Sequence, residues 1–231
     1  MKKSISMLAI AVSAMCLCGG CVVGRRTIDI ESIHAKEFAD AKANIKPGED
    51  RVRISLTVVD KRVFQDSPSD PSIPSMGGKN GNEACLIGRQ RNTYGMAMGD
   101  VAASNGYTVA EHIGKLVEEA FIKAGYEVVR PGSVEDGVIP VEVVIYQFWG
   151  WMTPGFWTLT LSARSDIKVA ISGGVCCGSV SSLVETNKNA MAAGDAAWLA
   201  SFARNADDLV ADLVAKLKKH HPSGLQPQMV E

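Results

Sequence analysis

The side chains able to do covalent or metal chemistry in this chain are chiefly six cysteines and four histidines. Their spacing restricts what that chemistry is. A structural zinc site draws its ligands from spaced pairs. Cys176 and Cys177 are contiguous and lack a companion pair, and His220 and His221 are contiguous too, with no third ligand near in sequence. No metal and no cofactor is therefore expected. A cysteine nucleophile needs a histidine brought close by the fold, and Cys85 with His112 is the pairing to consider. His112 lies beside a helical apolar stripe, where a lone histidine is more simply a packed or surface residue. The sequence has no Gly-x-Ser-x-Gly elbow and no phosphate-binding loop ending in Gly-Lys-Ser/Thr between a strand and a helix. No catalytic residue is assigned, and the chain is not expected to be an enzyme.

Cys21 differs because of what precedes it. Lys2 and Lys3 give a basic start, Ser4 to Leu17 an apolar core, and Gly19-Gly20 the small residues just before Cys21. That is the grammar of an export signal. A cysteine in this position resembles the acceptor of thioether-linked lipid in bacterial lipoproteins. Residues 1–20 then read as a removed signal peptide and Cys21 as the lipidation site. Cys18 holds the place where such signals usually carry Leu, and it is the poorer acceptor because Leu17 precedes it. Two alternatives stay open. Ser4 to Val23 is about long enough for an uncleaved spanning helix, although Arg25 and Arg26 beyond it oppose simple insertion. A plain secreted protein is the other. Val22 stands where aspartate would signal retention in the inner membrane. The expected location is thus the outer membrane, lipid-anchored and palmitate-bearing, with the domain in the periplasm.

Without Lys2 and Lys3, 22 basic side chains face 25 acidic ones, a net charge of −3. That balance opposes a nucleic-acid partner, which calls for a basic excess. Cys85, Cys176 and Cys177 are the thiols left outside the signal, an odd number that cannot pair completely. A disulfide from Cys85 to either of the other two suits an oxidising compartment. Three unpaired thiols is the equal alternative.

The elements that must position these residues follow from periodicity. Residues 21–49 read as the lipidated cysteine and a tether, closed by the breaker run Lys46-Pro47-Gly48. The domain is expected over 50–219, with a tail at 220–231. Arg51 to Lys61 alternates with Val52, Ile54, Leu56 and Val58 on one face, the pattern of a half-buried strand. Residues 65–84 are rich in Ser, Pro, Asp, Gly and Asn and read as a mobile loop. Cys85 to Arg89 suggests a short strand, and Gln90 to Asn105 reads as irregular. Thr108 with Glu111 forms a capping box ahead of an apolar stripe through Ile113, Leu116, Val117, Ala120 and Phe121, and Gly125 ends the helix. Strands are expected over Tyr126 to Arg130, Val138 to Trp149, Phe156 to Ser172 and Val175 to Thr186. A last helix over Asp195 to Lys219 carries Trp198, Phe202, Ala206, Leu209, Leu213 and Leu217 on one stripe. Two amphipathic helices need one sheet face to cover. The fold class expected is α+β, a two-layer sandwich whose mixed, mostly antiparallel sheet carries two helices on one face.

Three of the four tryptophans fall in Phe148-Trp149-Gly150-Trp151-Met152-Thr153-Pro154-Gly155-Phe156-Trp157, around a hairpin turn. Turns are usually polar, whereas Trp favours boundaries between apolar and wet surroundings. Trp149, Trp151, Phe156 and Trp157 are therefore candidates for docking onto a partner protein or the lipid headgroup layer. The competing reading packs these rings around the sheet end against Trp198 and Phe202.

Val58-Val59-Asp60-Lys61-Arg62, then Ile87-Gly88-Arg89, Tyr94-Gly95, the capped helix, and Ala124-Gly125-Tyr126-Glu127-Val128 together resemble the YajG-type bacterial lipoproteins over residues 50–219. The resemblance implies an outer-membrane lipoprotein fold and location and transfers no catalytic residue. The function expected is a non-enzymatic envelope lipoprotein that binds another envelope component in envelope biogenesis. A lipid- or small-ligand-binding accessory subunit of an envelope transport system is the alternative, and a groove open beneath the aromatic hairpin would favour it. A hydrolase would need a cleft joining Cys85, or a serine, to His112.

Overall fold

One strand of sixteen residues, Ile139–Pro154, forms the spine of the computed structural model, which describes residues 24–45, 51–77, 82–92, 94–130, 137–173 and 178–220. In chain order the elements are β1 (Arg26–Ile28), α1 (Ala35–Ala43), β2 (Arg53–Asp60), β3 (Leu86–Arg91), β4 (Ala97–Ala103), α2 (Val109–Lys123), β5 (Glu127–Val129), β6 (Ile139–Pro154), β7 (Leu159–Ile171), β8 (Gly178–Ala190) and α3 (Asp195–His220). Along one edge β6 pairs antiparallel with β7, which pairs antiparallel with β8. Its other edge is shared by two groups of strands. The first half of β6 pairs in parallel with β2, and β2 with β5. The second half pairs in parallel with β3 at Gly88–Gly150 and Arg89–Trp151, and β4 and β1 continue outward from there. Antiparallel pairing dominates by residue count, and the sheet is mixed, as the α+β reading requires.

Where the two groups part, β6 carries a bulge. Ile145 faces Ile167 and Gln147 faces Asp166, so Tyr146 is the extra residue. An extra residue shifts the alternation of a strand by one. Before the bulge, Val141, Val143 and Ile145 enter the core; after it, Phe148 does, stacked on Phe202 with ring centres 5.3 Å apart. Gly150 follows Phe148 on this face. A Cβ there would sit 2.7 Å from Phe202 and 2.9 Å from Trp198, so the residue must be glycine for α3 to lie this close.

Helices α2 and α3 cover this face. Thr108 and Glu111 close the expected capping box, and the expected stripes of both helices are buried. The opposite face is exposed along β8, mostly half-buried along β7 and closed at the second half of β6. There Trp149, Trp151, Leu86 and Ala102 form a second apolar cluster with Phe64 and Met76.

Three expectations differ from the structure. The polar loop is tied to the sheet over its described residues, 65–77 and 82–84. Gln65 bridges to Ser75, Trp149 Nε1 donates to Pro71 O at 3.2 Å, Gln147 Nε2 to Ser72 O at 2.7 Å, and Arg89 Nη1 to Met76 O at 2.7 Å. Its backbone carbonyls answer donors from the sheet, which is why its polar composition does not mean disorder. The tether also shrinks. Ile28, Ile30 and Ile33 are buried, β1 pairs with β4, and α1 packs on α2, so the domain begins by residue 24 instead of 50. Gly99 allows this join, since a Cβ there would lie 1.9 Å from Gly24 O. Gln90 to Asn105 is likewise more regular than its composition suggests, because β4 occupies 97–103.

The fork in the sheet is filled by Arg62, whose side chain is fully buried. Its guanidinium donates to Leu86 O and Phe148 O on the two strands that flank the gap and to Glu83 O at 2.8 Å, and grips Asp60 through both carboxylate oxygens at 2.8–3.1 Å. Replacing Arg62 with Met strips three carbonyls of donors and leaves Asp60 without its partner. A loss of about 2 kcal/mol is expected, chiefly from the stranded carbonyls, since buried acceptors left without donors cost roughly 1–3 kcal/mol, while Asp60 is exposed and can be solvated. Urea unfolding measures it, and a change within error would remove Arg62 from this role.

His34 clips the first segment to both helices. Its Nδ1 meets Glu119 Oε2 at 2.9 Å and its Nε2 meets Asp207 Oδ1 at 3.0 Å, while Lys123 Nζ reaches Glu119 Oε1 at 2.5 Å. The hydrogen bond to Glu119 raises the His34 pKa above the usual 6.5, with the Glu119 and Asp207 charges adding to it against burial. Burial pushes Glu119 up, but the bonds from His34 and Lys123 outweigh it and hold the carboxyl below the usual 4.5. A raised histidine stabilises fully below its unfolded pKa and less as pH climbs through the folded one; a depressed carboxylate stabilises above its unfolded pKa and less as pH falls. The deficit of His34→Ala against wild type should therefore be largest between about pH 5 and 6.5 and narrow as pH climbs through the raised histidine pKa. Parallel urea titrations across that range measure it, and a deficit that grows with pH would contradict the clip.

Candidate docking site

The residues with reactive chemistry are mostly shut away. Cys85 ends a short 3-10 turn and is buried as a free thiol; its Sγ donates to Gly106 O at 3.4 Å and accepts from Asn82 Nδ2 at 3.2 Å. His112 lies between the rings of Tyr107 and Phe148, 1% exposed. Burial first, then the positive charges of His34 and Lys115, pull its pKa down to about 3, so the ring is neutral at physiological pH. Neither residue lines the surface grooves found along α2. One of these, about 590 Å³, runs between α2 and strands β2 and β5, lined by Leu56, Val58, Gly114, Lys115, Val128 and Arg130. The other, about 400 Å³, lies between α1 and the end of α2. Among the described residues no three His, Cys, Asp or Glu side chains are grouped to hold a metal ion. No described helix is long and apolar enough to cross a membrane.

Cys21, Cys176, Cys177, His221 and the tail beyond His220 lie outside the described residues. Gly178, the first described residue after the vicinal cysteines, pairs with Ile171, which faces Val141 near the start of β6. Cys85 precedes Gly88, which pairs with Gly150 near the other end. The described flank of the cysteine pair and Cys85 are therefore not brought together.

The four docking candidates split in two. Gly150 and Pro154 look like turn residues in sequence, yet β6 runs straight through to Pro154. Trp149 and Trp151 are thus strand residues, 0% and 7% exposed, and are withdrawn as docking groups. They turn away from Trp198 and Phe202, onto the face covered by the loop: Trp149 meets Phe64 edge-on at 6.0 Å, and Arg164 lies 5.3 Å from the Trp151 ring centre. The competing packing reading is right about burial and wrong about the partners.

Phe156 and Trp157 do the opposite. The turn closes with Gly155 N donating to Thr158 O at 2.8 Å, and a Cβ on Gly155 would lie 2.5 Å from that oxygen. The two rings stand at the tip, 90% and 82% exposed, edge to face at 4.8 Å. Two large aromatic rings held in water by a tight turn form a surface suited to contact with something less polar. No charged side chain occurs from Val143 through Ala163, so nothing ionised would be desolvated by that contact.

Trp151→Ser should cost about 3 kcal/mol, within the range for truncating a buried large side chain. Phe156→Ser with Trp157→Ser should change stability by about 0.5 kcal/mol or less, as exposed positions usually do. Thermal and urea unfolding of the two variants side by side test the division, and equal losses would refute it.

No known protein-family profile and no curated protein matches this sequence. Solved structures similar to it in fold at low identity include these two. One is the crystal structure of a Xanthomonas campestris protein assigned to the family DUF330, with 13% identity over 85% of this chain and 92% of that chain and a TM-score of 0.41. The other is an uncharacterized protein, with 9% identity over 73% of this chain and 99% of that one and a TM-score of 0.42.

Proposed function

We propose that this chain is a non-enzymatic lipoprotein of the bacterial envelope, of the YajG type, anchored through lipidated Cys21 and acting by contact. The observation that carries the reading is the exposed Phe156–Trp157 pair at the end of the β6–β7 hairpin, a binding-type surface on a domain whose described thiol and core histidine are enclosed. The signal-like residues before Cys21 supply the location, with the domain in the periplasm and the outer membrane as the site of the anchor. Two long helices seal the inner sheet face and the 65–77 loop seals Trp149 and Trp151. A ligand-binding accessory role for a transport system would use the groove between α2 and β2, which lies away from the hairpin tip.

Radiolabelled palmitate should enter the wild-type protein in cells and not the Cys21→Ser form. The labelled protein should sediment with membranes, and the serine form should not. Label persisting on the serine form would refute Cys21 as the acceptor, and an unlabelled wild type would sink the lipoprotein reading.

A further inference from the structure

The strand registers bring separate parts of the chain to one end of the sheet. β3 runs parallel to β6 with Arg89 opposite Trp151, so Asn92 and Tyr94 to Met96, between β3 and β4, lie beside the β6–β7 turn at 155–158. β8 ends at Ala190 opposite Leu159, which puts Met191 there as well. Large apolar side chains crown this end: Tyr94 at 87% exposure, Met96 at 59%, Phe156 at 90%, Trp157 at 82% and Met191 at 82%. They stand on three different connections of the chain, so no single loop's sequence accounts for the cluster.

The chain also enters the domain at this end. β1 is parallel to β4, with Arg26 opposite Val101, and Gly24 N donates to Met98 O at 3.0 Å. Cys21 precedes Gly24 by three residues, which span about 11 Å at most when fully extended. Three strand spacings separate β1 from β6, about 14 Å across the sheet. A lipid on Cys21 therefore holds the aromatic tips within reach of the bilayer that receives it. Behind the tips the hairpin is polar without charge: Thr153 and Thr158 are exposed, and Thr160 Oγ1 donates to Asn189 Oδ1 at 3.1 Å. An apolar crown above an uncharged hydroxyl and amide collar matches the change from acyl chains to headgroups.

We infer that the Gly24 end of the sheet is the membrane-facing surface of the domain, and that Phe156 and Trp157 insert at the headgroup level of the bilayer holding the Cys21 lipid. The inference rests on the lipoprotein reading above. The aromatic tips add to whatever the lipid supplies and fix the domain upright, with the α1 and α3 surfaces left free for protein contact.

Tryptophan fluorescence isolates the point, because Trp149, Trp151 and Trp198 are buried and Trp157 is the exposed one. The full lipidated chain is reconstituted in phosphatidylcholine–phosphatidylglycerol vesicles carrying bromine at a shallow acyl position. Wild type should show quenching and a blue shift that Trp157→Phe removes, while Trp157→Phe still sediments with the vesicles. Labelled, vesicle-bound protein whose Trp157 emission is unquenched would overturn the inference and leave the lipoprotein reading standing. So would a photocrosslinker at position 157 that captures an envelope protein in cells and no lipid. A wild type that takes up no palmitate would overturn both.

Discussion

A strand that shares one edge between two neighbours leaves a gap, and backbone carbonyls at the gap need donors that no strand can supply. β6 has such an edge, and Arg62 closes it. One guanidinium reaches the carbonyls of Leu86 and Phe148, one from each side of the gap, and adds that of Glu83 at the entry to β3. Burying the charge is tolerable because Asp60, two residues earlier at the end of β2, grips the same group. β2 thus ends in its own plug: the strand stops, Lys61 N makes one last bond to Ile145 O, and the next side chain fills the space the strand has vacated. The Tyr146 bulge falls at the same level of β6, so the strand changes neighbours and changes parity together.

That change of parity decides what each face needs. Without it, the core side of β6 would carry Gln147, Trp149 and Trp151 against α3, where large rings would collide with Trp198 and Phe202. With it, that side carries Phe148 and then Gly150, whose missing side chain makes room for those two rings. The cost appears on the far face, where Trp149 and Trp151 would lie bare. The 65–77 loop is the remedy. Its backbone oxygens take the Trp149 indole N–H and the amide of Gln147, and Phe64 and Met76 supply apolar cover. Arg62 joins the two halves of this arrangement, since its guanidinium also lies 5.3 Å from the Phe64 ring centre.

Regular periodicity made the two long helices and most strands legible. The capping box at Thr108 and the stripe from Trp198 to Leu217 are local patterns, and local patterns survive folding. What escaped was fixed by contacts distant in sequence. Nothing near Ser72 or Pro71 reveals that donors from residues 147 and 149 will hold them, so composition alone reads as a mobile loop. Ile28, Ile30 and Ile33 alternate too briefly to declare a strand and turn until β4 is there to receive them. Gly150 was the most misleading residue. In a strand it marks close approach of another element, and in sequence it is indistinguishable from a turn. The docking candidates divided along that line: the two residues beside Gly150 pack, and the two beyond Pro154 remain in water.

Moving the start of the domain from residue 50 to residue 24 changes what an anchor at Cys21 means mechanically. A tether of nearly thirty flexible residues would let the domain sample a wide volume, its reach growing as the square root of its length. Three residues allow almost none of that. β1 is fixed to β4 by its ladder, and the segment after it by His34 to Glu119 and Asp207, on two different helices. A lipid at Cys21 would then restrict orientation as well as distance, because tilting the domain about so short a link drives one part of its rim into the headgroups. The part nearest the link is the row of turns bearing Tyr94, Met96, Phe156 and Trp157, where immersion is least costly. A short leash and an apolar rim on the same end reinforce each other, and either one alone would leave the domain free to roll.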